Sequence, residues 1–304
     1  MRHALTAVTV VVALLAAGGC GDTGHEAAGA GAVDVGAAGY PVTVGKLTLN
    51  RRPERIVSLV PSATEILFAI GAGPQVIAVD EDSNYPPTAP KTSLSGFEPD
   101  AAPIAARGPD LVVISGDAGP VVESLQGLGI PVLLVPRATT LDDTYRQIGQ
   151  MGTLTGHQPE AESLHQQMAG QIAQIVRTVP PRPRPLTYYY ELDPTLYTVT
   201  SRTFIGSIFK MMGLTSVAER AGIKGGGFPQ LTPLGLIRSD PDTIFLADAR
   251  CCRQSASTIA ARQGWGAISA VRTGRIYPLD DDIAATWGPR TVDLARAVAA
   301  AARS

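Results

Sequence analysis

The chain has 304 residues, a length that indicates two domains of ordinary size. Hydrophobic residues make up 45% of it and charged residues 17%, which argues against a largely disordered chain. The 25 basic and 27 acidic side chains give a net charge of -2, and no Lys/Arg-rich run occurs. This balance argues against a nucleic-acid-binding protein, because such proteins need a concentrated basic surface.

The first residues have the pattern of an export signal. A short basic start precedes an apolar run at 4–17, and small residues then lead to Cys20. This order is typical of a bacterial lipobox, so we predict a signal peptide at 1–19, lipidation of Cys20 and a flexible Gly/Ala-rich tether at 20–39. The apolar run is shorter than the about 20 residues of a membrane-spanning helix. The alternative is an ordinary signal peptide in which Cys20 has no role.

From residue 40, short apolar segments alternate with helical ones. A short hairpin or edge strand is predicted at 42–49, strands at 55–60, 76–79, 111–115 and 131–135, and helices at 63–70, 121–128 and 141–155. Strands that are apolar along their whole length indicate a parallel sheet covered on both faces.

One long helix divides the chain. Pro159 suits a first helical turn, and four prolines between residues 180 and 185 end the helix predicted at 159–179. Strands then follow at 186–192, 197–200, 243–247 and 276–279, with helices at 207–212 and 291–301. The predicted fold is therefore α/β, with two Rossmann-like lobes, each with a central parallel sheet, at 40–158 and 180–304. A cleft shared by two such lobes is a natural small-molecule site.

Four segments of the chain together resemble a known family. They are RIVSLVPSATEILFAIG at 55–71, DSNYPP at 82–87, the paired strand entries GPDLV at 108–112 and DPDTI at 240–244, and WGPR at 287–290 after three aspartates. On these motifs the chain is identified as a member of the helical-linker class of periplasmic binding proteins, whose members include binders of cobalamin, haem and siderophores. The resemblance covers residues 40–304.

The resemblance implies a lipid-anchored monomer on the extracytoplasmic face of the cell membrane. It would capture a corrinoid between the lobes and deliver it to an ABC importer, without a cofactor, a metal site or catalytic residues. The resemblance assigns ligand contacts to Tyr85, Phe97, Tyr197, Phe228 and Asp282. Aromatic faces from two lobes can sandwich a flat ring, and a carboxylate can accept hydrogen bonds from amides on its rim.

The positions expected to contact the permease depart from the family pattern. Ala102 and Leu234 stand where the family often has docking glutamates. Glu98, Asp100 and Asp240 are the nearby acidic substitutes. Either docking uses these residues or the interface with the permease differs.

Cys251 and Cys252 are adjacent residues in a compartment that favours oxidation. They are consistent with a vicinal disulfide, with soft-metal binding, with a link between two chains, or with an ordinary surface turn.

Other functions stay open at this point. A haem or ferric-siderophore binder would use the same fold, with Tyr85 as an axial ligand of haem iron. A lipid-anchored sensor or scavenger would need no transporter. An enzyme is disfavoured, because Ser62 lacks a Gly-x-Ser-x-Gly elbow and no Gly-x-x-x-x-Gly-Lys phosphate loop occurs.

Overall fold

The structure, a computed structural model, describes residues 39–116, 119–220 and 226–304. The predicted signal peptide, Cys20 and the tether up to residue 38 lie outside the described residues. Within the described ranges, no helix is both long enough and apolar enough to cross a membrane.

The first lobe is built on a five-stranded parallel sheet in the order β5-β4-β3-β6-β7. Its elements are β1 (Val42–Val44), β2 (Leu47–Leu49), β3 (Ile56–Ser58), α1 (Pro61–Ala69), β4 (Val76–Asp80), β5 (Lys91–Leu94), α2 (Ala101–Ala105), β6 (Leu111–Ser115), α3 (Pro120–Gly127), β7 (Val132–Val135) and α4 (Leu141–Thr155). Strands β1 and β2 form a separate antiparallel hairpin, which packs against α4.

Both faces of this sheet are buried, as its apolar strands predict. Val57 and Val112 belong to the core on the face covered by α2 and α3, whereas Ile56 and Leu111 belong to the core shared with α1 and α4. Strand order reverses between β3 and β6, which leaves a crevice at the carboxyl ends of these two strands.

The second lobe carries a four-stranded parallel sheet in the order β11-β10-β8-β9. Its elements, with the preceding long helix, are α5 (Gln158–Arg177), β8 (Leu186–Glu191), α6 (Phe204–Met211), β9 (Leu214–Ser216), α7 (Val217–Arg220), α8 (Pro233–Ser239), β10 (Thr243–Leu246), α9 (Ala256–Ala260), α10 (Ser269–Arg272), β11 (Ile276–Pro278), α11 (Asp281–Ala284) and α12 (Thr291–Arg303). The predicted α/β class with parallel sheets is confirmed. The boundaries at 40–158, 159–179 and 180–304 stay a prediction.

The three consecutive tyrosines of β8 are core residues. Tyr188 stacks on Phe209 with ring centroids 4.3 Å apart, and Tyr189, on the opposite face, meets Trp265 edge-on. All three tyrosines are buried, and this burial raises the pKa of each phenol. The strand therefore stabilises the second lobe from both faces rather than presenting aromatic rings to a ligand.

The strand predicted at 197–200 is wrong. Only Tyr197 forms a bridge, an isolated one to Gln230, and the N–H groups of Thr198 and Thr200 donate to carbonyls of the loop that contains Phe228. The segment is paired on one side by a loop, so its β-branched residues are buried without joining the sheet.

The first turn of α6 packs closely over the preceding loop. Thr203 caps this helix by accepting a hydrogen bond from the Gly206 N–H at 3.0 Å. A Cβ built on Gly206 would overlap the carbonyl oxygen of Thr200. Only a glycine allows this approach of helix and loop.

We expect Gly206→Ala to lower the free energy of unfolding by about 1–3 kcal/mol, since backbone atoms would have to move. The matched control is Gly170→Ala on α5, where an added Cβ meets no atom of the described residues within 4 Å. The control should raise the free energy of unfolding by roughly 0.5–1 kcal/mol, because alanine favours a helix over glycine. Urea unfolding measures both changes, and equal effects at the two positions would contradict the close approach.

Candidate ligand-binding cleft

The loop before α12 ties the second lobe to the first. The backbone N–H of Trp287 donates to Ser62 Oγ at 3.0 Å, and its carbonyl accepts from Thr144 Oγ1 at 2.9 Å. The indole Nε1 donates to Gln147 Oε1 at 2.9 Å. Three hydrogen bonds from α1 and α4 therefore fix Trp287 at the floor of a cleft between the lobes.

One part of this cleft, which we call the acidic cavity, has a volume of about 310 Å³. It is lined by Pro61, Ser62, Glu65, Asp82, Asn84, Tyr85, Asp281, Asp282, Ala285, Thr286, Trp287 and Arg290. Tyr85 is 46% exposed, and the Arg290 guanidinium carbon lies 4.5 Å from the centroid of its ring. This cation–π contact holds the phenol ring against the second lobe.

A buried hydrogen-bond network positions the loop that carries Tyr85. Thr64 Oγ1, on α1, lies 2.9 Å from the hydroxyls of both Ser58 and Ser83. The backbone N–H of Ser83 donates to Asp80 Oδ1 at 3.0 Å. Burial raises the pKa of the Asp80 carboxyl to about 6, in spite of this hydrogen bond. The loop that carries Tyr85 is thus attached to the carboxyl ends of β3 and β4.

A buried ion pair closes the base of the acidic cavity. Glu65 Oε1 accepts from Arg290 Nη2 at 2.5 Å and from Nε at 3.0 Å, while Glu65 Oε2 is buried and has no hydrogen-bond partner among the residues that the structure describes. Burial raises the pKa of Glu65, and the Arg290 guanidinium opposes that rise. The pair joins α1 of the first lobe to the start of α12 in the second.

The adjoining part of the cleft, which we call the basic cavity, has a volume of about 210 Å³. It is lined by Arg137, Ala138, Thr139, Arg202, Thr203, Phe204, Ile205, Gly227, Phe228, Ala285, Thr286 and Trp287. The Arg137 guanidinium carbon lies 5.8 Å from the ring centroid of Phe228 and 6.0 Å from that of Trp287. The two cavities share residues 285–287, so they are neighbouring parts of one cleft.

The structure brings together three of the five predicted contact residues. Tyr85 and Asp282 line the acidic cavity, and Phe228 lines the basic cavity. Phe97, which is 88% exposed, and Tyr197 line neither of them. Asp282 also forms an ion pair with Arg250 at 2.5 Å. Ligand contact at all five positions stays a prediction.

Sequence reasoning did not propose Glu65 or Arg137 as site residues. Glu65 carries a usable signal, because it is the one charged residue of the otherwise uncharged helix α1. Arg137 follows β7 in a loop with no motif. Its place beside Phe228 depends on how the two lobes meet.

The second lobe has its own crevice where strand order reverses, but charged side chains of the lobe itself occupy it. Glu191, at the end of β8, accepts two hydrogen bonds from Arg262 at 2.6 Å each. Asp248 is buried beyond the end of β10. This burial, and to a smaller extent the nearby Glu191 carboxylate, raise the pKa of Asp248 to about 7. The open site is therefore the cleft between the lobes.

The two adjacent cysteines lie in a loop beside the acidic cavity. Their thiols are free with Sγ atoms 2.7 Å apart, and the Cys251 N–H donates to Asp281 Oδ2 at 2.8 Å. The vicinal disulfide of Cys251 and Cys252 stays a prediction. No group of three or more His, Cys, Asp or Glu side chains in the described ranges is placed to hold a metal ion.

The chain has two α/β lobes, each with a parallel sheet, one long helix between them and an open cleft. These features define a bilobal solute-binding protein. The chain belongs to the periplasmic binding protein family, whose model matches residues 56–283. It is therefore an extracytoplasmic binding protein.

Individual proteins show the same relationship. The chain is 28% identical over 272 residues to the uncharacterized ABC transporter substrate-binding lipoprotein YvrC of Bacillus subtilis, covering 84% of this chain and 83% of that protein. It is 28% identical over 256 residues to a cobalamin-binding protein of Halobacterium salinarum, covering 81% and 69%. The solved periplasmic heme-binding protein RhuT from Roseiflexus has a TM-score of 0.70 and 25% identity, covering 82% of this chain and 99% of that one.

Removal of Arg290 tests the ion pair. Arg290→Met leaves Glu65 buried without its partner, and we expect the free energy of unfolding to fall by about 3–5 kcal/mol at neutral to basic pH. Without Arg290 the pKa of Glu65 rises further, so the folded state binds a proton that the unfolded state has released above about pH 4.3. The stability of this variant should therefore fall as the pH rises from that value through the folded pKa.

The double variant Glu65→Gln/Arg290→Met is the control, because it removes both charges. It should be more stable than Arg290→Met, and its stability should depend much less on pH. Urea unfolding of all four forms at mildly acidic and mildly basic pH completes the cycle. If Arg290→Met were equally stable at both pH values, Glu65 would not be the group left uncompensated.

Proposed function

We propose that this binding protein captures a corrinoid in the cleft between its lobes. The observation that carries the proposal is the pair of exposed rings, Tyr85 at 46% and Phe228 at 40%, which line adjoining cavities of one cleft from opposite lobes. Exposed large aromatic side chains facing a cleft favour a flat, mostly apolar ligand. Asp282 supplies an acceptor for amides on the rim of such a ligand.

Similarity supports the same ligand class. The Halobacterium relative is named for cobalamin binding, and its likeness extends over 81% of this chain. We propose that Cys20 carries a lipid anchor, as in a lipoprotein such as the Bacillus relative, and that the protein acts as a monomer which hands its ligand to an ABC permease.

For permease docking we propose Glu98 as the acidic group of the first lobe. Asp100 already caps α2 by accepting from the Ala102 N–H at 3.0 Å. Asp240 accepts from the backbone and the hydroxyl of Ser269. Glu98 is exposed, and its side chain makes no hydrogen bond or ion pair within the described residues.

Haem is the second candidate ligand. Tyr85 is exposed in the acidic cavity, and a tyrosine can ligate haem iron. The solved structure of RhuT, similar in fold, is of a heme-binding protein.

Calorimetric titration of the protein lacking residues 1–20 with cyanocobalamin tests the corrinoid. We expect tight binding, and we expect Tyr85→Ala and Phe228→Ala each to weaken it by about tenfold or more, since each removes a ring that the ligand would bury. Leu128→Ala, which shortens an exposed side chain outside both cavities, should leave the affinity unchanged. The absence of any binding at micromolar concentrations would rule out the corrinoid.

Haem titration, followed by the Soret band, separates the second candidate. If Tyr85 ligates iron, Tyr85→Phe should abolish the band while retaining the ring. If cyanocobalamin binds and Tyr85→Phe leaves its affinity nearly unchanged, the tyrosine acts through its face, as the corrinoid proposal requires.

A further inference from the structure

The two cavities of the cleft differ in charge. The described lining of the acidic cavity has four carboxylates, from Glu65, Asp82, Asp281 and Asp282, and one guanidinium, that of Arg290. The basic cavity has two guanidinium groups, Arg137 and Arg202, and no carboxylate in its described lining. A ligand that spans both cavities therefore meets opposite charge at its two ends.

Arg137 differs from the other arginines that face the cleft region. Arg290 is paired with Glu65, and Arg250 with Asp282. Arg202 donates to the Gly226 carbonyl at 2.9 Å. Within the described residues Arg137 forms no ion pair or hydrogen bond, and its guanidinium lies beside the rings of Phe228 and Trp287.

Those rings place the guanidinium where a ligand would lie. Phe228, proposed to contact the ligand, and Trp287, fixed by three hydrogen bonds, both line the basic cavity next to Arg137. Thr286, at the junction of the two cavities, has a buried hydroxyl that finds no hydrogen-bond partner in the described part of the chain. The polar groups of Arg137 and Thr286 thus lie beside the apolar rings of Phe228 and Trp287.

The donors of a guanidinium match the oxygens of a phosphate or carboxylate, and two parallel N–H···O bonds give both affinity and orientation. We propose that Arg137 is the anion subsite of the cleft and receives the phosphate on the side chain of a corrinoid, while the acidic cavity receives the ring's amide donors. This inference rests on the proposed corrinoid function. It adds the direction in which the ligand lies.

Cobinamide and cobinamide phosphate differ by the phosphate group, so the pair isolates this contact. The wild-type protein lacking residues 1–20 should bind cobinamide phosphate about tenfold or more tightly than cobinamide, as expected for a charge-assisted hydrogen bond. Arg137→Gln should remove that preference and leave the affinity for cobinamide nearly unchanged. Arg137→Lys should retain part of the preference, since it keeps the charge and loses the planar fork.

Arg177→Gln is the matched control, because it removes the same charge from the exposed last turn of α5, outside the lining of both cavities. It should retain the full preference. Added salt should weaken binding of cobinamide phosphate more than that of cobinamide in the wild type, and equally in Arg137→Gln.

The outcomes separate the subsite from the function. If the wild type binds both compounds equally, or if Arg137→Gln weakens both by the same factor, the anion subsite is overturned while corrinoid binding stands. If the wild type binds neither compound nor cyanocobalamin, the proposed function fails and the subsite fails with it. Circular dichroism of each variant confirms that the fold is retained.

Discussion

The arrangement of the cleft depends on the buried ion pair between Glu65 and Arg290. These residues are 225 positions apart and belong to different lobes, and their side chains are only 2% and 15% exposed. Burying both charges costs desolvation energy that the attraction does not always offset. The pair therefore fixes the position of α1 relative to the start of α12 more than it stabilises the fold, because neither charge can be left buried alone.

Several features of the cleft follow from that pairing. Gly288 lies so close that a Cβ on it would come within 2.7 Å of Glu65 Oε2, so a larger residue there would have to displace the Glu65 side chain. The approach brings Trp287 to its hydrogen-bond partners on α1 and α4 and places the Arg290 guanidinium over the Tyr85 ring. Opening the lobes would break all of these contacts at once. We therefore expect a small hinge motion on ligand binding.

The fold could be predicted from the sequence where burial was symmetric. Strand β6 was predicted at its observed bounds, 111–115, because a strand covered on both faces is apolar throughout. Strand β5 was missed, since its edge position exposes Lys91 and Ser93 and leaves too few apolar residues to show a pattern. The segment 197–200 has the pattern of a strand because burial by a loop selects the same β-branched residues as burial in a sheet.

The site was less predictable for a physical reason. Tyr85 and Asp282 lie in segments with a recognisable family pattern, and the structure places both in the acidic cavity. Arg137 and Glu65 are defined by partners that are 91 or more positions away, Phe228 for one and Arg290 for the other. No local pattern records such a pairing. The charge difference between the cavities therefore emerges only when the lobes are assembled.

The two lobes contribute to the cleft in different ways. In the first lobe the strand ends are open, and the ends of β3 and β4 hold the loop that carries Tyr85. In the second lobe Glu191 and Arg262 occupy the equivalent crevice, and that lobe lines the cleft through Phe228, in a loop, and Asp282, in α11. Both lobes therefore line the cleft from segments beyond their strand ends, and the first lobe differs in the buried hydrogen bonds that attach the Tyr85 loop to β3 and β4.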